Sequence, residues 1–250
     1  GEGVYEKSYV KSQKLNYSAS LNKIFEQCKY DKRKIICFFS SSDDEYELID
    51  GHLNRFQSWI DQKSAIKEIA SLCNLLGYYF IVRIHPNLKN KARKEQKSWD
   101  NVGNEIKKYG FTWISQKQLE PTYKIIKHSD LIISAGSTVG IEAIFLDKPS
   151  IAIAKCKYDG LFTGVKLCES SSDMRELLTK PTTFKSPNRK NCLIYGAWAM
   201  LYGNRFQFFS HEAYEDGHMK NGIKIASAGR LQKNLSKIKS LLNTSLLNKN

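Results

Sequence analysis

Short, wholly apolar runs alternate along this chain with longer stretches whose apolar residues recur at helical spacing, and few folds accept that pattern. Ile35-Ile36-Cys37-Phe38-Phe39 reads as a buried strand, ended by Ser40 to Glu45. Ser64 to Leu76 comes next, with Ile66, Ile69, Ala70, Cys73 and Leu76 on one helical face and Gly77 as its stop. Tyr79 to Ile84 is a second strand, broken by His85-Pro86-Asn87; Asn101 to Tyr109 is helical, and Thr112-Trp113-Ile114 is a short third strand. Pro121 opens a helix to Lys127, Leu131-Ile132-Ile133 is a strand, and Gly136 to Gly140 turns into a helix through Phe145. After Asp147-Lys148-Pro149, Ile151-Ala152-Ile153-Ala154 is the fifth strand. Strands without a polar face, separated by helices, imply a parallel sheet covered on both sides. The expected fold class is therefore α/β, a Rossmann-like doubly wound parallel sheet.

That sheet places a domain at 31–180. Residues 1–30 read as a lead-in or linker, with a short helix near Leu21 to Cys28. Residues 181–250 read as a mainly helical extension packing on the domain. Within it Pro181 to Asn188 is a loop, Asn191 to Tyr202 a helix, Gly203 to Gly222 a stretch rich in Gly, His and aromatics, and Leu231 to Leu247 a basic amphipathic helix. No internal repeat is visible.

No apolar run approaches the roughly 18 residues of a membrane span, and no signal-peptide pattern opens the sequence. The expected location is cytoplasmic. The six cysteines at 28, 37, 73, 156, 168 and 192 make no C-x-x-C pair and join no His cluster, so they read as reduced residues, several in the core. A net charge of +14 implies an anionic partner. Nucleotide diphosphates, anionic lipid and nucleic acid all fit the charge, but no nucleic-acid motif accompanies it, and no specific nucleic-acid partner is expected. A merely solvated basic surface fits equally well. Peripheral contact with an anionic membrane at the inner face is the docking role open to the basic C-terminal helix.

In open α/β sheets ligands bind outside the carboxyl ends of the strands. Three polar segments meet that edge: Ser40 to Glu45, His85-Pro86-Asn87, and Ser134 to Gly140. In Ser134-Ala135-Gly136-Ser137-Thr138-Val139-Gly140-Ile141-Glu142 the glycines permit a tight turn and close approach. Ser137 or Thr138 can cap the next helix, whose free N–H groups attract phosphate. Glu142, one turn further on, can accept from ribose hydroxyls. An ordinary capped strand-to-helix turn would look the same. His85, held by Pro86, can donate to a phosphate oxygen, with Arg83 adding charge unless strand alternation turns it elsewhere. A lone His after a strand is otherwise a loop residue. Asp43, Asp44 and Glu45 can cap a helix, supply a base or, with Ser42, contact a sugar hydroxyl. His52, His128, His211 and His218 show no spacing signal.

R-I-H-P-N at 83–87, S-D-L-I-I-S-A-G-S-T-V-G-I-E-A at 129–143 and D-K-P at 147–149 resemble the C-terminal domain of GT-B capsule-type glycosyltransferases. They look like the group containing the bacterial capsule Kdo transferases and are similar, more remotely, to bacterial sialyltransferases with an HP and a Ser/Thr motif. F-F-S-S-S-D-D-E at 38–45 and Gln62 add to the likeness, which covers about 35–180. The resemblance implies a nucleotide-sugar donor, CMP- or UDP-linked, and a capsule or lipopolysaccharide-type glycan acceptor. Its donor-binding set is Arg83, His85, Asn87, Ser134, Gly136, Ser137, Thr138 and Glu142, with His85 also the catalytic group at the leaving phosphate. The acceptor site and base are implied on an N-terminal Rossmann domain, outside this chain. No cofactor is implied, and without a D-x-D motif no metal. A polyol-phosphate transferase, a nucleotide-sugar epimerase and a noncatalytic binding module with a vestigial crevice remain the competing readings.

Overall fold

The computed structural model describes residues 19–42, 56, 58–118, 120–156, 158 and 163–202. Asp43 to Glu45, His52, the stretch 203–222 and the basic helix expected at 231–247 lie outside the described residues. The chain divides into two compact units, Gly1–Trp198 and Ala199–Asn250, and the sheet lies wholly in the first.

Six parallel strands are β1 (Ile35–Phe39), β2 (Tyr79–Arg83), β3 (Thr112–Ile114), β4 (Leu131–Ser134), β5 (Ser150–Ala152) and β6 (Lys166–Leu167). Their order is β3-β2-β1-β4-β5-β6. The chain winds outward from β1 to β3, then returns to the other side of β1, so the order reverses between β1 and β4. The fold is thus the doubly wound, Rossmann-like parallel sheet that the apolar runs imply.

The helices are α1 (Ala19–Tyr30), α2 (Gln62–Leu75), α3 (Arg93–Lys108), α4 (Thr122–His128), α5 (Val139–Phe145), α6 (Ser171–Thr179) and α7 (Lys190–Tyr202). Strand alternation sorts the core between two faces. Ile36, Phe38, Phe80 and Val82 point to the face covered by α2, α3 and α6, where they meet Ile66, Ile69, Val102, Ile106 and Met174. Their neighbours Cys37, Phe39 and Ile81 point to the other face and meet Leu21 and Phe25 of α1 and Ile125 and Ile126 of α4. Burial pushes the Cys37 thiol well up and the Cys168 thiol up to about 12, so both stay protonated. No described helix is long and apolar enough to cross a membrane.

Four elements differ from expectation. The helix expected at Asn101 to Tyr109 starts at Arg93; its charged first turns carry only Trp99 as a core residue and so give no periodic signal. β6 and α6 were not anticipated. Both residues of β6 are exposed, so it has no apolar run. In α6 only Met174 and Leu178 are buried, too few for a periodic signal. α2 starts two residues before Ser64, because Asp61 and Ser64 form a reciprocal capping box.

Candidate functional site: a serine hub at the switch point

Parallel register aligns the last residues of three strands. Phe39 of β1 pairs with Arg83 of β2 on one side and Ser134 of β4 on the other. The segments beyond them, Ser40 to Ser42, Ile84 to Asn87 and Ala135 to Thr138, therefore leave the sheet side by side at its carboxyl edge. The β2 and β4 segments are two strand spacings apart, about 10 Å.

The serines tie these segments together. Ser40 donates its N–H to the Arg83 carbonyl at 3.0 Å, and its Oγ accepts from the His85 N–H at 2.8 Å. Ser41 Oγ donates to the Ala135 carbonyl at 2.9 Å, spanning the point where strand order reverses. Gln62, 1% exposed, clamps Ser41 from α2. Its Oε1 accepts from the Ser41 N–H at 2.8 Å, and its Nε2 donates to the Ser41 carbonyl at 3.1 Å. All three serines are buried, so one polar hub replaces the backbone pairing that stops where the strands end.

His85 caps the short 3-10 helix Pro86–Asn90. Its backbone is extended, as a residue before proline requires, and its Nδ1 accepts from the Asn87 N–H at 3.2 Å. With Nδ1 used as an acceptor, the neutral imidazole carries its proton on Nε2 and presents an N–H donor there. Arg83 is buried and its Nη1 donates to the carbonyls of Ser115 and Gln118, at 3.1 and 2.7 Å. Alternation puts it on the α4 face with Ile81, so its guanidinium holds the segment after β3.

Across the hub, Gly136 has φ +83, a conformation that favours glycine. Thr138 is the N-cap residue of α5 but makes no capping bond; its Oγ1 donates to Glu142 Oε1 at 3.1 Å. Ser137 Oγ accepts a long bond, 3.4 Å, from the Val139 N–H. Beneath this turn lies Tyr158, 3% exposed, whose hydroxyl donates to the Ser137 carbonyl at 2.9 Å. The buried hydroxyls of Ser134 and Ser150 have no hydrogen-bond partner among the described residues.

Gly140 is where these hydroxyls converge. A Cβ there would lie 2.6 Å from the Tyr158 hydroxyl, 3.2 Å from Ser134 Oγ and 3.3 Å from Ser150 Oγ. Gly140→Ala should therefore displace Tyr158 and lower stability by about 1–3 kcal/mol, the usual cost of overpacking. Chemical denaturation of the variant checks this; unchanged stability would mean that the turn yields freely.

Of the residues that the sequence singles out, Ser42, His85, Asn87, Ser134, Gly136, Ser137, Thr138 and Glu142 lie along this edge or the helix leaving it. Arg83 is committed to the carbonyls of Ser115 and Gln118, after β3. Sequence reasoning missed the importance of Gln62 and overlooked Tyr158. The signal for Gln62 was faint: a polar residue one position into an amphipathic helix, after a capping Asp. Tyr158 gave none, because it comes from a segment without periodicity.

The fold and this edge define a doubly wound α/β domain with a polar edge at its switch point. No protein-family model matches the chain, and no curated protein matches it. Among solved structures, UDP-GlcNAc 2-epimerase from Neisseria meningitidis bound to UDP-GlcNAc is 17% identical at a TM-score of 0.40, over 74% of this chain and 46% of that one. The β-Kdo 2,7 transferase KpsC of Thermosulfurimonas dismutans is 13% identical at 0.35, over 77% and 66%. The wall teichoic acid polymerase TagF is 13% identical at 0.39, over 92% and 50%. The chain thus spans about half of the epimerase and polymerase structures. At this level the likeness says nothing of substrate or reaction in this chain.

Proposed function

We propose that this chain is the donor-binding half of a glycosyltransferase, holding a CMP- or UDP-linked sugar for transfer to a capsule or lipopolysaccharide-type glycan. The observation that carries the reading is the serine hub, which joins the His85 segment and the Gly136–Thr138 turn at the switch point of a parallel sheet. That is where α/β sheets hold nucleotides. The sequence resemblance of residues 83–87 and 129–149 supports the same assignment.

Each residue then has a role. His85 Nε2–H donates to a donor phosphate oxygen, and the backbone around Gly136 and Ser137 approaches the phosphates closely. Glu142 accepts from the ribose hydroxyls. During transfer the bond between the anomeric carbon and the phosphate oxygen breaks as an acceptor hydroxyl attacks that carbon. Negative charge grows on the leaving phosphate, and His85 stabilises it there. The acceptor's proton goes to a base on a partner N-terminal domain. In this organisation 31–180 is the donor domain, and α1, expected within a linker, packs on its sheet through Leu21, Phe25 and Cys28. The enzyme works in the cytoplasm, peripheral to the inner face of the membrane.

A melting screen against CMP, UDP, GDP, their sugars and the free nucleosides tests this. A nucleotide at about 100 times its Kd should stabilise the protein by about 2.7 kcal/mol, and nucleosides should have no such effect. Absence of stabilisation by every nucleotide would defeat the proposal.

A further inference from the structure

Beside the hub, on its His85 side, a small open cleft with room for little more than a water lies between the serines and the start of α3. Ser42, His85, Lys91 and Glu95 line it above Leu88 and Trp99. From its mouth runs the most basic stretch of the described chain. Lys89, Arg93, Lys94 and Lys97 are exposed, and none of the four has an ion-pair partner among the described residues.

We propose that this strip binds an extended acidic glycan across its surface, the carboxylate or phosphate groups pairing with the four cations. The strip is built rather than frayed. Gln96 Nε2 donates to the carbonyls of Lys91 and Lys89, at 2.8 and 3.3 Å, and so fixes the backbone that bears them. Buried Leu88 and Trp99 anchor its two ends. The charges are also placed against the interest of the fold. Arg93 and Lys94 occupy the first turn of α3, the positive end of its dipole, where cations destabilise a helix and only Glu95 offsets them. Ala92, at the N-cap, supplies no side-chain acceptor. A bound anion offsets both costs.

The surroundings decide between polyanions. A helix docking on a membrane sets exposed apolar side chains beside its cations. Between His85 and Lys108 no large apolar side chain is exposed. Single-stranded nucleic acid needs a series of aromatic faces for successive bases, and along the strip Trp99, its one Phe, Tyr or Trp, is 4% exposed. A glycan needs neither. The choice of a glycan rests on the transferase reading, in which a growing acidic polymer must reach the donor crevice.

The test uses the full chain with four fluorescent or competing probes at low salt: polygalacturonate oligomers, glycerol-phosphate oligomers, an oligothymidylate, and vesicles of phosphatidylcholine with phosphatidylglycerol. The first two probes, the oligomers, separate carboxylate from phosphate as the recognised group. Changing Lys89, Arg93, Lys94 and Lys97 together to Gln should weaken oligomer binding about tenfold or more, with a shallower salt dependence. Changing Lys23, Lys29, Lys32 and Lys127 to Gln, an equal charge loss elsewhere, should leave most of the affinity. The strip variant should melt no lower than the parent. Oligomer binding that survives in the strip variant overturns the inference, as does tighter binding of oligothymidylate or vesicles than of either oligomer. Nucleotide titrations of the same proteins separate the two claims. Nucleotide binding without oligomer binding overturns this inference alone. Oligomer binding without nucleotide binding sustains it and removes the donor assignment.

Discussion

Gln62→Leu will lower stability by about 2–5 kcal/mol, because it leaves two buried backbone groups of Ser41 without partners and each such orphan costs about 1–3 kcal/mol. Leucine nearly preserves the volume, so the loss reports the hydrogen bonds rather than a cavity. Gln62→Glu keeps the acceptor for the Ser41 N–H and removes the donor to its carbonyl, at 2.8 and 3.1 Å in the native clamp. A carboxylate oxygen facing that carbonyl repels it, so this variant is also destabilised. The hub links Ser41 to Ala135, so the consequence extends beyond stability. A loosened Ser41 frees the turn before α5, and nucleotide affinity should fall with it. Urea unfolding and nucleotide titration of both variants check the two effects. Full stability in Gln62→Leu would show that Ser41 finds other partners and that the clamp is incidental.

His85→Ala should weaken nucleotide binding about ten- to a hundredfold. A charge-assisted hydrogen bond to phosphate contributes roughly 1.5–3 kcal/mol, and every 1.4 kcal/mol or so is a factor of ten. The substitution also removes the ring acceptor for the Asn87 N–H, but that group lies in an exposed segment, where water replaces the bond. The melting temperature should therefore change little. Glu142→Ala should weaken the nucleotide and spare inorganic phosphate, since its assigned contact is with ribose. It frees the hydroxyl of Thr138, now bonded to the carboxylate, without disturbing the core. Calorimetric titration with the nucleotide and with phosphate separates these roles. If His85→Ala binds nucleotide as tightly as the parent, His85 is a turn residue and the phosphate contact lies elsewhere.

The sheet was legible in the sequence because each central strand is buried on both faces. Ile35 to Phe39 and Leu131 to Ile133 contain no polar residue, so neither alternation nor helical period competes for them. The carboxyl-edge loops came with the strands, since each is simply the polar segment after an apolar run. Strand order was less accessible. That β4 pairs with β1, bringing Ala135 beside Ser40, depends on long-range pairing across about a hundred residues, which no local pattern encodes. The polar connections were less accessible still. Gln62 looks like any helix-start polar residue until Ser41 is seen against it, and Tyr158 reaches Ser137 from a loop. Arg83 shows the limit of reading a motif as a string. Within R-I-H-P-N it is two residues from His85, yet its guanidinium holds the Ser115 and Gln118 carbonyls of the segment after β3. The second strand spacing that separates His85 from Ser137 likewise belongs to the sheet rather than to either motif.

Hydrogen exchange of the protein with and without the nucleotide that stabilises it most would test the donor-crevice assignment directly. The central claim is that the ligand sits over the serine hub. Backbone amides of residues 40–42, 85, 87, 88 and 136–140 should then slow together on binding, while β3 and the exposed face of α4 stay unchanged. Protection confined to other segments, or to only one side of the hub, would contradict the claim.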